Sequence, residues 1–225
     1  MNFIRMNTVV ACGSIKPELE KMAGEALEKV HLHFLPQNLH RAPHKMKEMI
    51  QKAIDEESSV SERIVLGYGL CSNGIVGVKA PQQGLYVPRV HDCIAFYLGS
   101  REKYNKIFRQ HPGTYHLTKS WIDNEKDPLG LMENEYTRRV GADMAREAIE
   151  TEIKNYEYIS FINNELANSD KYRQRAKKNA EVFHKKYIEY KGTDIFFNKI
   201  LFGPYDNDFI YIEPNKTIKQ KEFLK

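Results

Sequence analysis

The chain is poor in cysteine, has one tryptophan and carries no long apolar run. Three cysteines in 225 residues cannot all pair with one another, so the chain is not built on disulfides. No segment approaches the roughly 18 consecutive apolar residues of a membrane-spanning helix, which excludes a helical membrane protein. Residues 1–7 have neither a long apolar stretch nor a small-residue cleavage site, so the sequence predicts a cytoplasmic location. In a reducing compartment cysteines serve as free, metal-bound or catalytic thiols. A dominant charge is missing too: 34 basic against 30 acidic residues leave a net charge of +4. The basic excess gathers in the C-terminal half, from Lys171 to Lys186 and again from Lys216 to Lys225. Acidic residues are interleaved there and no nucleic-acid motif accompanies them, so a solvated helix face is expected rather than a nucleic-acid surface. Gly67-Tyr68-Gly69-Leu70-Cys71-Ser72-Asn73-Gly74 is glycine-rich. It is neither a dinucleotide fingerprint nor a phosphate-binding P-loop, so no nucleotide is expected.

What is present is an ordinary globular composition, 41% hydrophobic and 28% charged, arranged as alternating strands and helices. Strands are predicted at residues 7–12, 30–35, 63–68 and 84–88. The third is apolar almost throughout, which suits a strand covered on both faces. Helices are predicted at 18–27, 43–55, from Asp92 to about residue 98, and at 101–110. The second has Met46, Met49, Ile50 and Ile54 on one stripe. This βαβαβαβα order predicts an α/β fold: an open, mostly parallel sheet with helices on both faces, Rossmann-like. Residues 1–225 read as a single α/β domain with its core in 1–125. Residues 130–205 read as a helical insertion or appendage, with long helices at 132–157 and 164–190. There Phe183, Tyr187 and Tyr190 form a helically spaced core stripe. A return strand is expected within 206–215.

Each cysteine follows a strand: Cys12 the first, Cys71 the third, Cys93 the fourth. In an open parallel sheet, ligands bind beyond the carboxyl ends of the strands. Three thiols sent to that edge meet the needs of a soft metal. On a tetrahedral zinc they leave one position open, the mark of a catalytic site; on a [4Fe-4S] cluster they leave one iron open. The competing expectation is that free cysteines are small buried hydrophobes. Cys71 and Cys93 are read as preceding helices, where the thiol pKa is expected to fall. His91 is a candidate ligand or proton shuttle. Asp92 is a candidate proton acceptor or ligand-orienting residue, or simply a helix cap. Arg89 and Arg101 flank the segment and suit a carboxylate or phosphate on a small-molecule substrate. His40, in the loop after the second strand, and Asn73, in the glycine-rich turn, complete the candidate substrate contacts. His31, His33 and His44 are read as surface or packing residues, and His111 and His116 receive no role.

Several short motifs occur in a fixed order: Ala11-Cys12-Gly13, Leu39-His40 with Pro43, Gly67-Tyr68-Gly69-Leu70-Cys71, and Pro88-Arg89 with Asp92-Cys93. Leu98-Gly99-Ser100-Arg101 follows, then Pro112-Gly113-Thr114-Tyr115 with Leu117-Thr118 and Trp121. In this the chain resembles the family catalogued as domain of unknown function 1638. The resemblance covers most of residues 8–122 and extends more loosely to Asp208-Phe209. It implies a setting in corrinoid-dependent one-carbon metabolism but carries no established reaction. Three expectations follow. One is a zinc site for thiol or methyl-group chemistry, as a metal-dependent transferase or lyase. Another is a [4Fe-4S] protein whose open iron acts as a Lewis acid. The third is a non-enzymatic accessory protein that binds a corrinoid protein or a methyltransferase.

Overall fold

A computed structural model describes residues 6–24, 30–165 and 169–223. In chain order the elements begin with β1 (Met6–Cys12), α1 (Lys16–Ala23), β2 (Val30–Leu35), α2 (Pro43–Glu57), β3 (Ser61–Gly67) and β4 (Leu85–Pro88). Next come α3 (Ile94–Leu98), α4 (Arg101–Gln110), β5 (Thr114–Leu117), α5 (Lys119–Asp123), α6 (Ala142–Glu152) and β6 (Tyr158–Asn163). The last are α7 (Ser169–Val182), β7 (Lys186–Lys191), α8 (Ile195–Phe202) and β8 (Phe209–Ile212). The fold is mixed α/β with a mostly parallel main sheet, as expected. The C-terminal end of the helix predicted at 18–27 lies outside the described residues.

The chain divides into two compact units. The first comprises Met1–Arg101 and Asp194–Lys225, the second Glu102–Thr193. The first holds a five-stranded sheet in the order β2-β1-β3-β4-β8. The first four strands run parallel, and β8 closes the edge antiparallel to β4, pairing Pro88 with Phe209 and Leu85 with Ile212. Helix α2 packs on β1, β2 and β3. Its buried Met46, Ile50 and Ile54 join Val10, Ile64 and Leu66 of the sheet, each burial contributing roughly 1.5–3 kcal/mol. Helix α8 packs against α1, α3 and β3, with Phe96 and Phe196 ring centroids 5.1 Å apart. The apolar runs Val9-Val10-Ala11 of β1 and Ile64-Val65-Leu66 of β3 are wholly buried on both faces, which is why they show no alternation.

The second unit departs from expectation. It carries its own parallel three-stranded sheet, β5-β6-β7, where two long helices were predicted. Within 132–157, Gly141 adopts φ 83° and breaks the helical run. Residues 158–163 then form the central strand, with Ile159, Ser160, Phe161 and Ile162 all buried. It falls in the gap between the two predicted helices, where six residues with Ser160 among them are too short a run for periodicity to decide. Within 164–190, His184 at φ 53° ends the helical stretch. Tyr187 and Tyr190 therefore lie on β7, not on a helical stripe with Phe183. The glycine-rich turn also leads into no helix: residues 71–77 are a run of turns.

Candidate functional site at a strand-end crevice

The order β2-β1-β3-β4 reverses direction between β1 and β3. Such a switch point is where ligands bind in open α/β sheets, because the connections leave in opposite directions and open a crevice. Cys12 is the last residue of β1, and the segment carrying Tyr68 and Cys71 leaves β3 directly beside it. Ala11 pairs with Gly67 across the two strands. A Cβ on Gly67 would stand 2.6 Å from that of Ala11, so glycine is required for this approach.

The third thiol arrives by a backbone splice. Leu70 N–H donates to Val90 O at 2.9 Å and Cys71 N–H to His91 O at 2.8 Å. A Cβ on Gly69 would meet Asp92 Cα and N at 2.8 Å. The loop after β3 is thus laid along the loop after β4, which brings Cys71 towards Cys93. Cys71, Ser72 and Asn73 are all left-handed, with φ of 45°, 56° and 64°. None is glycine, so the turn stores roughly 1–2 kcal/mol per residue. Strain of this kind persists where surrounding bonds over-determine the backbone, and it concentrates at functional sites.

All three cysteines are free and partly exposed. The pKa of each lies above the ordinary thiol value, opposite to the expected fall. Burial within the protein mass is the first cause. For Cys71 the repulsion of Asp92 and Cys12 adds to it, and for Cys93 that of Cys71, Asp92 and Cys12. The expected helix dipoles are absent or weak. No helix follows Cys71, and α3, which Cys93 precedes, is only five residues long. The mutual action of the thiols shows that they share one neighbourhood. Even so, the three sulfurs do not all lie within 4.8 Å of one another.

Two further side chains belong to this neighbourhood, and motif reading passed over both. Ser14 Oγ donates to Cys12 Sγ at 3.1 Å and also lies beside Cys93. Tyr68 is 2% exposed; its buried hydroxyl meets no oxygen or nitrogen partner and has only the Cys12 thiol within weak hydrogen-bonding reach. All three thiols, Cys12 foremost, act with burial to hold that phenol well above its usual pKa. The available signal was a polar aromatic between two glycines at a strand end.

The other sequence candidates divide. Asp92 acts on Cys71 and Cys93, and its Oδ1 accepts the Ile94 N–H at 2.9 Å, so it also caps α3. His91 is exposed, and what it brings to Cys71 is its backbone carbonyl. Asn73 is exposed on the turn. Arg89 is partly buried; its backbone N–H donates to Asp208 O at 2.7 Å, and its Nε is buried without a partner. His40 lies on a short turn beyond β2, where burial and Arg41 lower its pKa. Arg101, partly exposed, opens α4. The structure therefore gathers the cysteines with Asp92, while the other five candidates stand along or beyond the same edge.

No described helix is long and apolar enough to cross a membrane. No curated protein and no solved structure matches the chain. One family model does, over residues 34–201, about three quarters of the length. That span takes in Cys71, Cys93, Tyr68 and the whole second unit, whereas Cys12 precedes it. On this match the chain belongs to the family described as "Protein of unknown function (DUF1638)".

Proposed function

We propose that Cys12, Cys71 and Cys93 hold a soft metal centre that leaves one coordination position open to a small substrate. The observation that carries this reading is three thiols that share one neighbourhood with a buried Tyr68 hydroxyl, with no cation acting on them, at the switch point of a parallel sheet. The charges acting on Cys71 come from Asp92 and Cys12, both repulsive. A bound cation would invert that balance, because metal coordination deprotonates a thiol outright. Tyr68 would then be placed to donate to a thiolate or to a ligand on the open position. The corrinoid setting implied by the family resemblance suits a thiol or methyl-group substrate, with a corrinoid protein or methyltransferase as partner.

Zinc is the first reading of the metal. A [4Fe-4S] cluster is the second, and the spacing favours it. Three thiolates on one tetrahedral zinc stand roughly 3.8 Å apart, given Zn–S of ~2.3 Å, closer than these sulfurs all come. A cluster takes each thiolate on a different iron and so accepts wider spacing. The test is elemental analysis of protein purified without oxygen, wild type against Cys71→Ser. The folded variant is expected to hold one metal centre fewer per chain than wild type. Brown protein with broad visible absorption identifies the cluster, and colourless protein holding zinc identifies the single ion. Folded wild-type protein without metal, or a metal content in Cys71→Ser equal to that of wild type, would overturn the proposal.

A further inference from the structure

A second group of metal-ligating side chains lies away from the cysteines, and the sequence reading had set its histidines aside as packing residues. His31 and His33 are two apart on β2 and so face the same side of the sheet. Glu57 is the last residue of α2, which packs on that strand. His31 Nε2 is 3.2 Å and His33 Nδ1 2.8 Å from one oxygen, Glu57 Oε1, and the three atoms all lie within 4.8 Å of one another. Ligands on a first-row divalent ion at ~2.0–2.2 Å stand roughly 3.4 Å apart. The observed separations need open by only a few tenths of an ångström to admit one.

An independent feature asks for a cation at the same place. Helix α2 ends in Asp55-Glu56-Glu57 with no basic residue in its last turn. The carbonyl end of a helix is already partially negative, so carboxylates there are unfavourable and a cation is favourable. The Glu57 side chain is 12% exposed and His31 47%, so the carboxylate is sheltered while one ligand opens to solvent. β2 is also an edge strand of its sheet. An ion here would tie that edge to the helix covering it.

We propose that His31, His33 and Glu57 form a binding site for a borderline divalent transition metal, zinc being the reference ion, distinct from the cysteine centre. Two nitrogens and one carboxylate oxygen suit zinc, cobalt, nickel or iron(II) and not the hard, all-oxygen ions calcium and magnesium. The alternative occupant is no ion at all, with both imidazoles donating to Glu57.

The test is titration of chelator-stripped full-length protein with Zn²⁺ by calorimetry and with Co²⁺ by visible absorption. Wild type is compared with His31→Gln, His33→Gln and Glu57→Gln, each checked for folding by circular dichroism. The expected result is one equivalent bound without thiolate-to-cobalt charge transfer, at least tenfold weaker in each folded variant. It persists in Cys71→Ser, and in the Cys71→Ser background saturating Zn²⁺ raises Tm when His31 is present and not when it is replaced in His31→Gln. His31 is exposed, so that variant keeps the test open if His33→Gln fails to fold. Unchanged affinity and stoichiometry in folded His31→Gln and Glu57→Gln, or no such equivalent in wild type, would overturn the proposal.

Discussion

The two units each bury a polar cluster, and they treat it in opposite ways. In the second unit Asp127 is 1% exposed, and its Oδ2 accepts from Arg175 Nε at 2.9 Å and Asn179 Nδ2 at 2.7 Å. Arg175 also reaches Glu133 at 3.0 Å, and Asn179 Oδ1 accepts the Leu129 N–H. Asp127 Oδ1 is buried without a partner, but the anion has its own cation and amide at Oδ2, so its charge is answered within the protein and the cluster serves to fix structure. In the first unit three thiols and a phenol share one neighbourhood, all held above their usual pKa by burial first, with thiol repulsion adding at Cys71, Cys93 and Tyr68, and no cation among the groups acting on the thiols. Buried ionisable groups are nearly always given a partner of opposite charge, so a cluster of soft ligands without one points outward to something bound. The contrast separates a structural polar cluster from a functional one by whether the protein supplies the counter-charge.

The largest effect expected is on the answered cluster. Asp127→Ala leaves Arg175 and Asn179 without their partner and removes a cap from the helical turn at Pro128. Breaking a buried pair costs about 3–5 kcal/mol. Arg175 keeps 30% of its side-chain exposure and so some hydration, which reduces the expectation to about 2–3 kcal/mol. Urea unfolding followed by fluorescence of Trp121, the only tryptophan and a residue of the second unit, measures it. A loss below about 0.5 kcal/mol would erase the distinction drawn between the clusters.

Titration sharpens the same comparison from both ends of the pH scale. Burial lowers the His116 pKa to about 4. Its Nδ1 is 2.7 Å from Ser160 Oγ, a cross-strand neighbour. A folded-state pKa below the unfolded value of roughly 6.5 contributes stability above pH ~6.5, lost as pH falls through 4. The loss is at most about 3 kcal/mol, and His116→Gln should flatten it. The thiols run the other way. Their raised pKa values contribute stability below the unfolded value of roughly 8.5 that is lost as pH rises above it. Metal bound to thiolates should abolish this alkaline decline. Thermal melts from pH 4 to 10, with and without metal, read both limbs. An alkaline limb unchanged by metal would mean that the thiols do not bind it.

Much of the first unit was legible in the sequence because its strands are short, apolar and bracketed by turns and amphipathic helices. The ligand edge was legible too, since each cysteine directly follows such a strand. Three things were hidden, each for a physical reason. β6 is six residues long and buried on both faces, with Ser160 and Ile162 opposite Ile159 and Phe161, so no clean apolar–polar alternation stands out. The pKa direction was misjudged because local helix dipoles were expected while burial and thiol–thiol repulsion, which depend on tertiary approach, decide the sign. Tyr68 and the His31/His33/Glu57 group carry no local signature. The first needs knowledge of what its hydroxyl meets, and Glu57 lies 24 residues from His33.

The smallest expected effect is the most discriminating, because its sign differs between the clusters. Asn179→Leu removes a satisfied amide, takes one of Asp127's partners and orphans the Leu129 N–H, so it destabilises. Tyr68→Phe removes a buried hydroxyl with no oxygen or nitrogen partner, only the weak contact to Cys12, and keeps the ring in place in the core beside Leu70, Cys12 and Cys71. Leaving a buried polar group unmade costs about 1–3 kcal/mol, so deleting it should stabilise metal-free protein by about 1 kcal/mol. The same substitution should weaken the centre if the phenol donates to a thiolate or to a bound ligand. Urea unfolding of stripped protein measures the first effect and metal competition with a chelator the second. A gain in stability with a loss of metal affinity is expected. A loss of stability with unchanged affinity would show that Tyr68 is a packing residue whose hydroxyl is answered within the protein, and the contrast between the two clusters would fail at its centre.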